Sequence, residues 1–122
     1  MRTILLLLVA CVFIPLAQAS AAGDAIFRIN SIETDDTCPS YLMITPTSAT
    51  TFNTGCTDPD ALTLTNPTDN CTEGDENSQV QFETTKKLLL AAFLGNKRIK
   101  AYWGSCLTGG RAGIKQLRII VD

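Results

Sequence analysis

Two pairs of carboxylates are the side chains best spaced for catalysis in this sequence. Asp58 and Asp60 form the first pair, and Asp75 and Glu76 form the second. Two facing carboxyl groups hydrolyse glycosides, one acting as an acid and the other as a base or nucleophile. Both pairs, however, lie in polar turns, and the chain has no histidine to act as a general base. The sequence therefore favours a protein with no catalytic residues and no cofactor over a small carboxylate-dependent hydrolase.

An acidic loop at residues 69–75 resembles a calcium-binding loop, because Gly74 follows alternating polar positions. An EF-hand loop would need an oxygen ligand at the position of Cys71 and a bidentate glutamate at the position of Val80. The pattern fails at both positions. We expect a solvated loop with no metal.

The first nineteen residues have the composition of a secretory signal peptide. Their apolar run is too short to span a bilayer, and Ala-Gln-Ala at 17–19 matches the motif that signal peptidase cleaves. We therefore expect a secreted or periplasmic protein, with a signal peptide at 1–19 and one domain at 20–122. The alternative is a lipidated Cys11, since residues 8–11 resemble a bacterial lipobox.

The predicted mature domain contains four cysteines, an even number in a small exported chain. A domain of this size buries too little surface to depend on its core alone, so the cysteines are expected to form two disulfides rather than metal sites. Four cysteines allow three pairings, and the residues alone leave all three open. The cysteines are Cys38, Cys56, Cys71 and Cys106.

Charge is segregated along the chain. Eleven of the twelve acidic residues lie between residues 24 and 83, where Arg28 is the only base. Eight of the ten basic residues lie between residues 84 and 122, where Asp122 is the only acid. Folding either interleaves the two halves and neutralises them, or leaves a basic face for an anionic ligand or acidic partner.

Hydrophobic periodicity predicts five strands and one helix. The strands are expected over 25–32, 41–45, 61–65, 98–103 and 114–121, the first with a bulge or at an edge. The helix is expected over 86–94, capped by Thr84 or Thr85 and stopped by Gly95-Asn96. This β-β-β-α-β-β order is that of the oligonucleotide- and oligosaccharide-binding (OB) barrel. The prediction is a mainly β, OB-fold-like barrel with one helix, stapled by two disulfides.

Alternation also assigns a buried side to each element. On the fourth strand, Trp103 is expected to face the core and the helix, whereas Tyr102 points to the opposite face. The other residues expected to face the core are Phe27, Ile29, Leu42, Ile44, Leu62, Leu64, Ile99, Ala101, Leu117, Ile119 and Val121 of the strands, and Leu89, Ala92 and Phe93 of the helix.

The outward face of the last two strands carries the candidate ligand site. Tyr102 lies beside Lys100 and Arg118 on that face, and Arg111 lies in the glycine-rich loop between the strands. A sugar needs an aromatic face with fixed polar groups, and an anionic sugar also needs a cation. These four residues supply such groups. They fit an ordinary solvated sheet face equally well.

The C-terminal part of the chain resembles a toxin family. The segment KLLLAAFLGNKRIKAYWGSC at 87–106, followed by IKQLRI at 114–119, is similar to the C-terminal half of the B subunits of subtilase-cytotoxin-like and pertussis-like toxins and of related small exported proteins. The shared pattern is an alanine-rich helix, a Gly-Lys turn, a strand ending in Gly-Cys and a closing strand. Asn96 and Ser105 interrupt this pattern here.

The resemblance implies a disulfide pairing, an assembly and a ligand. It pairs Cys56 with Cys106, which leaves Cys38 with Cys71; the alternative is sequential pairing. It also implies a non-enzymatic homo-oligomer, a pentameric ring, that binds surface glycans and can associate with a catalytic A-type subunit. An exported inhibitor or a structural protein of the envelope is the alternative function. Nucleic acid is not expected as a partner, because the mature chain is acidic and exported.

Overall fold

The computed structural model describes residues 22–35, 38–47, 51–67, 78–107 and 109–121. Its elements are β1 (Gly23–Thr34), β2 (Leu42–Pro46), β3 (Leu62–Leu64), α1 (Gln79–Leu94), β4 (Arg98–Cys106) and β5 (Ala112–Ile119). The predicted order of three strands, a helix and two strands is confirmed, and the protein is mainly β. The predicted signal peptide, Cys11 and the acidic loop at 69–75 lie outside the described residues. Within those residues, no helix has the length and hydropathy to cross a membrane.

The five strands form a closed barrel in the order β1-β2-β3-β5-β4. The long first strand closes it, because its first half pairs with β4 and its second half pairs with β2. The register shifts between Ile29 and Ser31, at the change of partner, which confirms the predicted bulge. Strands β3 and β5 pair in parallel, and the other neighbours are antiparallel.

The barrel interior is filled by the side chains that alternation assigns to it. Ile44, Leu62, Leu64, Ile99 and Ala101 are fully buried. Further aromatic packing comes from a residue that the strand pattern does not predict, because it lies in the loop before β3. This residue, Phe52, makes edge-on contacts with Phe27 at 5.0 Å and Trp103 at 5.6 Å between ring centroids.

The helix begins about two turns earlier than predicted. Its N-cap is Ser78, not Thr84 or Thr85: the Ser78 hydroxyl accepts the Gln81 backbone N–H at 3.2 Å, and the Gln81 side chain accepts the Ser78 N–H at 2.8 Å. This reciprocal pair is a capping box, and Ser-x-x-Gln is its sequence signature. At the other end, Asn96 has the left-handed backbone (φ 51°) and Gly95 does not (φ −87°).

Loss of the N-cap provides a test of the corrected helix start. Ser78→Ala removes the acceptor for the Gln81 N–H, so we expect the free energy of unfolding to fall by about 1 kcal/mol. Thr84→Ala is the matched control and should have a smaller effect, since Thr84 is exposed inside the helix. Urea denaturation of both variants measures the difference. A larger loss of unfolding free energy for Thr84→Ala than for Ser78→Ala would show that the helix begins near Thr84, as the sequence predicts.

Two predicted core positions are wrong. Phe93 is 39% exposed, because the helix packs against β1 and β5 through the stripe of Phe82, Thr85, Leu89 and Ala92. Val121 is 91% exposed, because β5 ends at Ile119 and Val121 lies beyond the barrel.

The structure describes one complete disulfide, Cys56–Cys106, with Cα atoms 5.6 Å apart. This agrees with the pairing implied by the toxin resemblance and excludes sequential pairing, which would join Cys38 to Cys56. Cys38 is also disulfide-bonded. Cys71 lies outside the described residues, so the bond between Cys38 and Cys71 stays a prediction.

Candidate ligand-binding face

The candidate site lies on the outward side of three neighbouring strands, β1, β4 and β5. Lys100 on β4 is directly opposite Arg118 on β5 and, on its other side, opposite Ile26 on β1. Two residues earlier on β4, Arg98 is opposite Arg28 on β1. Directly paired residues share a face of the sheet. The four cations therefore lie together, and we call Arg28, Arg98, Lys100 and Arg118 the basic face.

Tyr102 borders the basic face, two residues beyond Lys100 on β4. The Lys100 ammonium lies 5.3 Å from the centroid of the Tyr102 ring, within the range of a cation–π contact. Arg118 Nη2 donates a hydrogen bond of 3.3 Å to the Tyr102 hydroxyl oxygen. The structure thus brings together three of the four predicted site residues, around one aromatic ring.

Acidic side chains are scarce on this surface. In β4, β5 and the half of β1 that pairs with β4, the only acid is Asp24, which lies opposite Tyr102. Neither Lys100 nor Arg118 forms an ion pair with a described residue. At Lys100 and Arg118 the fold therefore keeps the charge segregation of the sequence, since no described carboxylate pairs with either residue.

Arg111, the fourth predicted site residue, lies at the opposite end of β5 from Arg118. Its Nε is 3.1 Å from Asp58 Oδ2, and its Nη1 is 3.5 Å from Asp35 Oδ2. Asp35 also accepts the Cys38 backbone N–H at 3.3 Å, and the Asp58 N–H donates to the Gly110 carbonyl at 2.7 Å. Arg111 therefore connects the β4–β5 loop to the loop before β3 and to the end of β1.

In the first carboxylate pair, the carboxylate of Asp58 is occupied by structural contacts. Asp58 Oδ2 faces Arg111, and Asp58 Oδ1 accepts the backbone N–H of Asp60 at 3.2 Å. Asp60 itself is exposed. Asp58 thus stabilises the conformation of the loop before β3. The second pair, Asp75 and Glu76, lies outside the described residues.

Two members of the surface come from β1 and were not predicted as site residues. Arg28 extends the row of cations, and Ile26 is an exposed apolar side chain (52% exposed) beside Lys100. The sequence does place Ile26 and Arg28 on the side of their strand opposite Phe27. It does not reveal that this strand pairs with β4, which is what brings them to Lys100.

Comparison of the chain with protein-family models, curated proteins and solved structures finds no match.

Proposed function

We propose that this protein is an exported, non-enzymatic binding module that holds an anionic glycan on the basic face beside Tyr102. The observation that carries the proposal is the contact of one partly exposed aromatic ring with two cations, Lys100 and Arg118, on an open sheet surface. No acidic side chain of the described residues competes with a ligand for these two cations.

Each side chain has a distinct role in this proposal. The Tyr102 ring and the exposed Ile26 side chain offer apolar contact to the C–H face of a sugar. Arg118 pairs with a carboxylate or sulfate through its planar array of donors, whereas Lys100 acts as a point charge. The Arg118–Tyr102 hydrogen bond positions the guanidinium before the ligand arrives, which lowers the entropy lost on binding.

We also propose that the barrel belongs to the OB class. Support comes from the closed order β1-β2-β3-β5-β4 and from a helix placed between β3 and β4. Barrels of that class bind oligosaccharides and oligonucleotides, commonly on the β2–β3 side. The basic face lies instead on β1, β4 and β5, away from the side that such barrels commonly use.

Export and ring assembly complete the proposal. Export is supported by the Cys56–Cys106 disulfide, since such bonds persist in oxidising compartments and are rare in the cytosol. Ring assembly, which the toxin resemblance implies, is supported by three exposed apolar side chains on α1, Leu90, Phe93 and Leu94, which contact between subunits would cover. Light scattering of the mature protein measures the number of subunits.

Substitution of Tyr102 tests the binding site directly. We expect Tyr102→Ala to weaken binding of an acidic oligosaccharide about tenfold, equivalent to about 1.4 kcal/mol. The reason is that the variant removes both the stacking surface and the acceptor that positions Arg118. Titration calorimetry with soluble sialyllactose and with a sulfated disaccharide measures this loss for each site without avidity.

Two further variants control the Tyr102 experiment. Tyr102→Phe keeps the ring and loses only the hydrogen bond to Arg118, so it should fall between the wild type and Tyr102→Ala. Val80→Ala removes an exposed apolar side chain from the start of the helix, outside the patch proposed for subunit contact, and should bind as the wild type does. Equal affinity of wild type and Tyr102→Ala for every acidic sugar would contradict the proposed site.

A further inference from the structure

We propose that Lys115 is a further ligand-binding residue of the site around Tyr102, and that the ligand carries two acidic groups, a carboxylate and a sulfate, on one disaccharide unit. This inference rests on the proposed function and specifies its ligand. The observation behind it is a bulge in β5 that brings Lys115 to the outward side of the sheet, next to the position of Tyr102.

The bulge consists of one extra residue in β5. Gln116 is opposite Tyr102 on β4, but the next β4 residue, Trp103, is opposite Ile114, so the β4–β5 register passes over Lys115. In a regular strand, neighbouring side chains lie on opposite faces of the sheet. Lys115 and Gln116 are nevertheless both exposed, whereas the residues on either side of them are buried. The bulge therefore adds an outward cation at a position that regular alternation would assign to the core.

Lys115 lies on the other side of Tyr102 from Lys100 and Arg118. Along β5, Arg118 comes two residues after Gln116, and Lys115 comes immediately before it. Since Gln116 is directly opposite Tyr102, the tyrosine lies between Arg118 and Lys115 in the direction of the strands. Residues three positions apart in an extended strand have Cα atoms roughly 10 Å apart. A ligand held by Arg118 can therefore reach Lys115 with a second acidic group.

Contacts with Tyr102 keep the two cationic positions separate. Arg118 Nη2 donates to the Tyr102 hydroxyl at 3.3 Å, and the Lys100 ammonium lies 5.3 Å from the centroid of the same ring. Both groups are thus held on one side of the site. Lys115, on the other side, forms no ion pair or cation–π contact with a described residue, so its charge is open to a ligand.

The charge on the β1 side of Tyr102 sets the direction of the ligand. Asp24 on β1 is directly opposite Tyr102 and is exposed. Its carboxylate would repel an acidic group placed on that side. The cations Arg118 and Lys115 both lie on the β5 side. The two acidic groups of the ligand are therefore expected to follow β5.

The two cations of β5 suit different anions. The Arg118 guanidinium is planar, and its fork of donors matches the geometry of a carboxylate. The Lys115 ammonium is a compact charge with three rotatable donors, which suits a tetrahedral sulfate with oxygens in several directions. A disaccharide of a uronic acid and a sulfated sugar carries one group of each kind on adjoining rings.

The test compares disaccharides that differ by one sulfate, on the full mature protein. Titration calorimetry would use the unsulfated chondroitin disaccharide, whose only acidic group is its carboxylate, and the 4-sulfated and 6-sulfated isomers. We expect the wild type to bind one of the sulfated isomers about fivefold more tightly than the unsulfated disaccharide, the size of one added exposed ion pair. Lys115→Gln should reduce this preference to less than about twofold and leave the affinity for the unsulfated disaccharide within about twofold of the wild type.

Two controls separate charge from structure. Lys115→Arg keeps the charge on the bulge and should keep a preference of at least about threefold for the sulfated isomer. Lys87→Gln removes an exposed charge from α1 and should bind each disaccharide as the wild type does. An unchanged thermal midpoint in each variant shows that the barrel is intact.

Two results would overturn the inference: equal affinity of the wild type for the unsulfated and both sulfated disaccharides, or a sulfate preference that persists in Lys115→Gln. The proposed function fails separately. If the unsulfated disaccharide or sialyllactose binds in a Tyr102-dependent way while the sulfate adds nothing, only the inference about Lys115 is wrong. If no acidic sugar binds at all, both are wrong.

Discussion

Trp103→Ala is expected to lower the free energy of unfolding by about 3–5 kcal/mol, because it removes a large buried side chain from the barrel. The Trp103 side chain is 3% exposed and packs edge-on against Phe52. It also lies directly against the backbone of Gly23, where an added Cβ would be 2.9 Å from Trp103 Cζ2. The Gly23 backbone on one side and the Phe52 ring on the other limit how far the cavity can collapse, so the loss should be near the upper end of that range.

Substitution of Tyr102, the neighbour of Trp103 on β4, provides the control for Trp103→Ala. Tyr102 lies on the other side of the same strand, and Tyr102→Ala should change the free energy of unfolding by no more than about 1 kcal/mol. Equilibrium denaturation of the two variants, followed by far-UV circular dichroism, gives both values. If Tyr102→Ala were the more destabilising substitution, the assignment of faces on β4 would be reversed, and the basic face would not exist as described.

The faces of β4 could be predicted from sequence because strand alternation is a local property. Ile99, Ala101 and Trp103 differ from Lys100 and Tyr102 in polarity, and a strand has only two sides. The structure buries the first set and leaves the second partly exposed. Arg118 could be placed outward for the same reason.

The helix face could not be predicted so well, because it depends on what the helix packs against. From Lys86 onward, Leu88 to Leu94 is apolar on nearly every side, so several stripes fit the pattern equally. The buried stripe is set by Phe82 and Thr85, one turn further back. A helix predicted to begin at residue 86 excludes both residues, and Phe93 is then assigned to the core in error.

The outward positions of Lys100, Tyr102 and Arg118 could be predicted from the sequence, but their arrangement with the other residues of the site could not. Alternation places Lys100 and Arg118 on outward faces, yet their direct pairing depends on the register between β4 and β5, which includes a shift between Tyr102 and Trp103. The pairing of Arg28 with Arg98 depends on barrel closure by β1. Neither pairing could be predicted from the sequence, because the paired residues come together only when the complete sheet has formed.

The contacts of Arg111, which lies in a loop, could not be predicted from the sequence either. Its carboxylate partners are Asp35, 76 positions earlier in the chain, and Asp58. A glycine-rich loop has no periodicity from which a partner can be inferred. The sequence identifies Arg111 as an available cation, whereas the structure uses it to connect three segments.

Removal of the Cys56–Cys106 disulfide is expected to have the second of the two largest effects. The bond joins residues 50 positions apart, and closing a loop of that length in the unfolded chain corresponds to about 4 kcal/mol on the chain-entropy model. Cys56→Ala/Cys106→Ala should therefore lower the free energy of unfolding by roughly 2–5 kcal/mol. The double variant is used because a single substitution would leave a reactive thiol.

Urea denaturation separates the two ways in which the double variant can lose stability. If the bond acts mainly by restricting the unfolded chain, its loss expands that ensemble, and the dependence of the unfolding free energy on urea should become steeper. A loss of unfolding free energy below about 1 kcal/mol, with an unchanged dependence on urea, would show that the crosslink does not restrict the unfolded chain.

Non-reducing peptide mapping of the same double variant tests the predicted bond between Cys38 and Cys71. We expect one crosslinked peptide pair, containing Cys38 and Cys71, and alkylation of either cysteine without prior reduction would contradict the two-disulfide prediction.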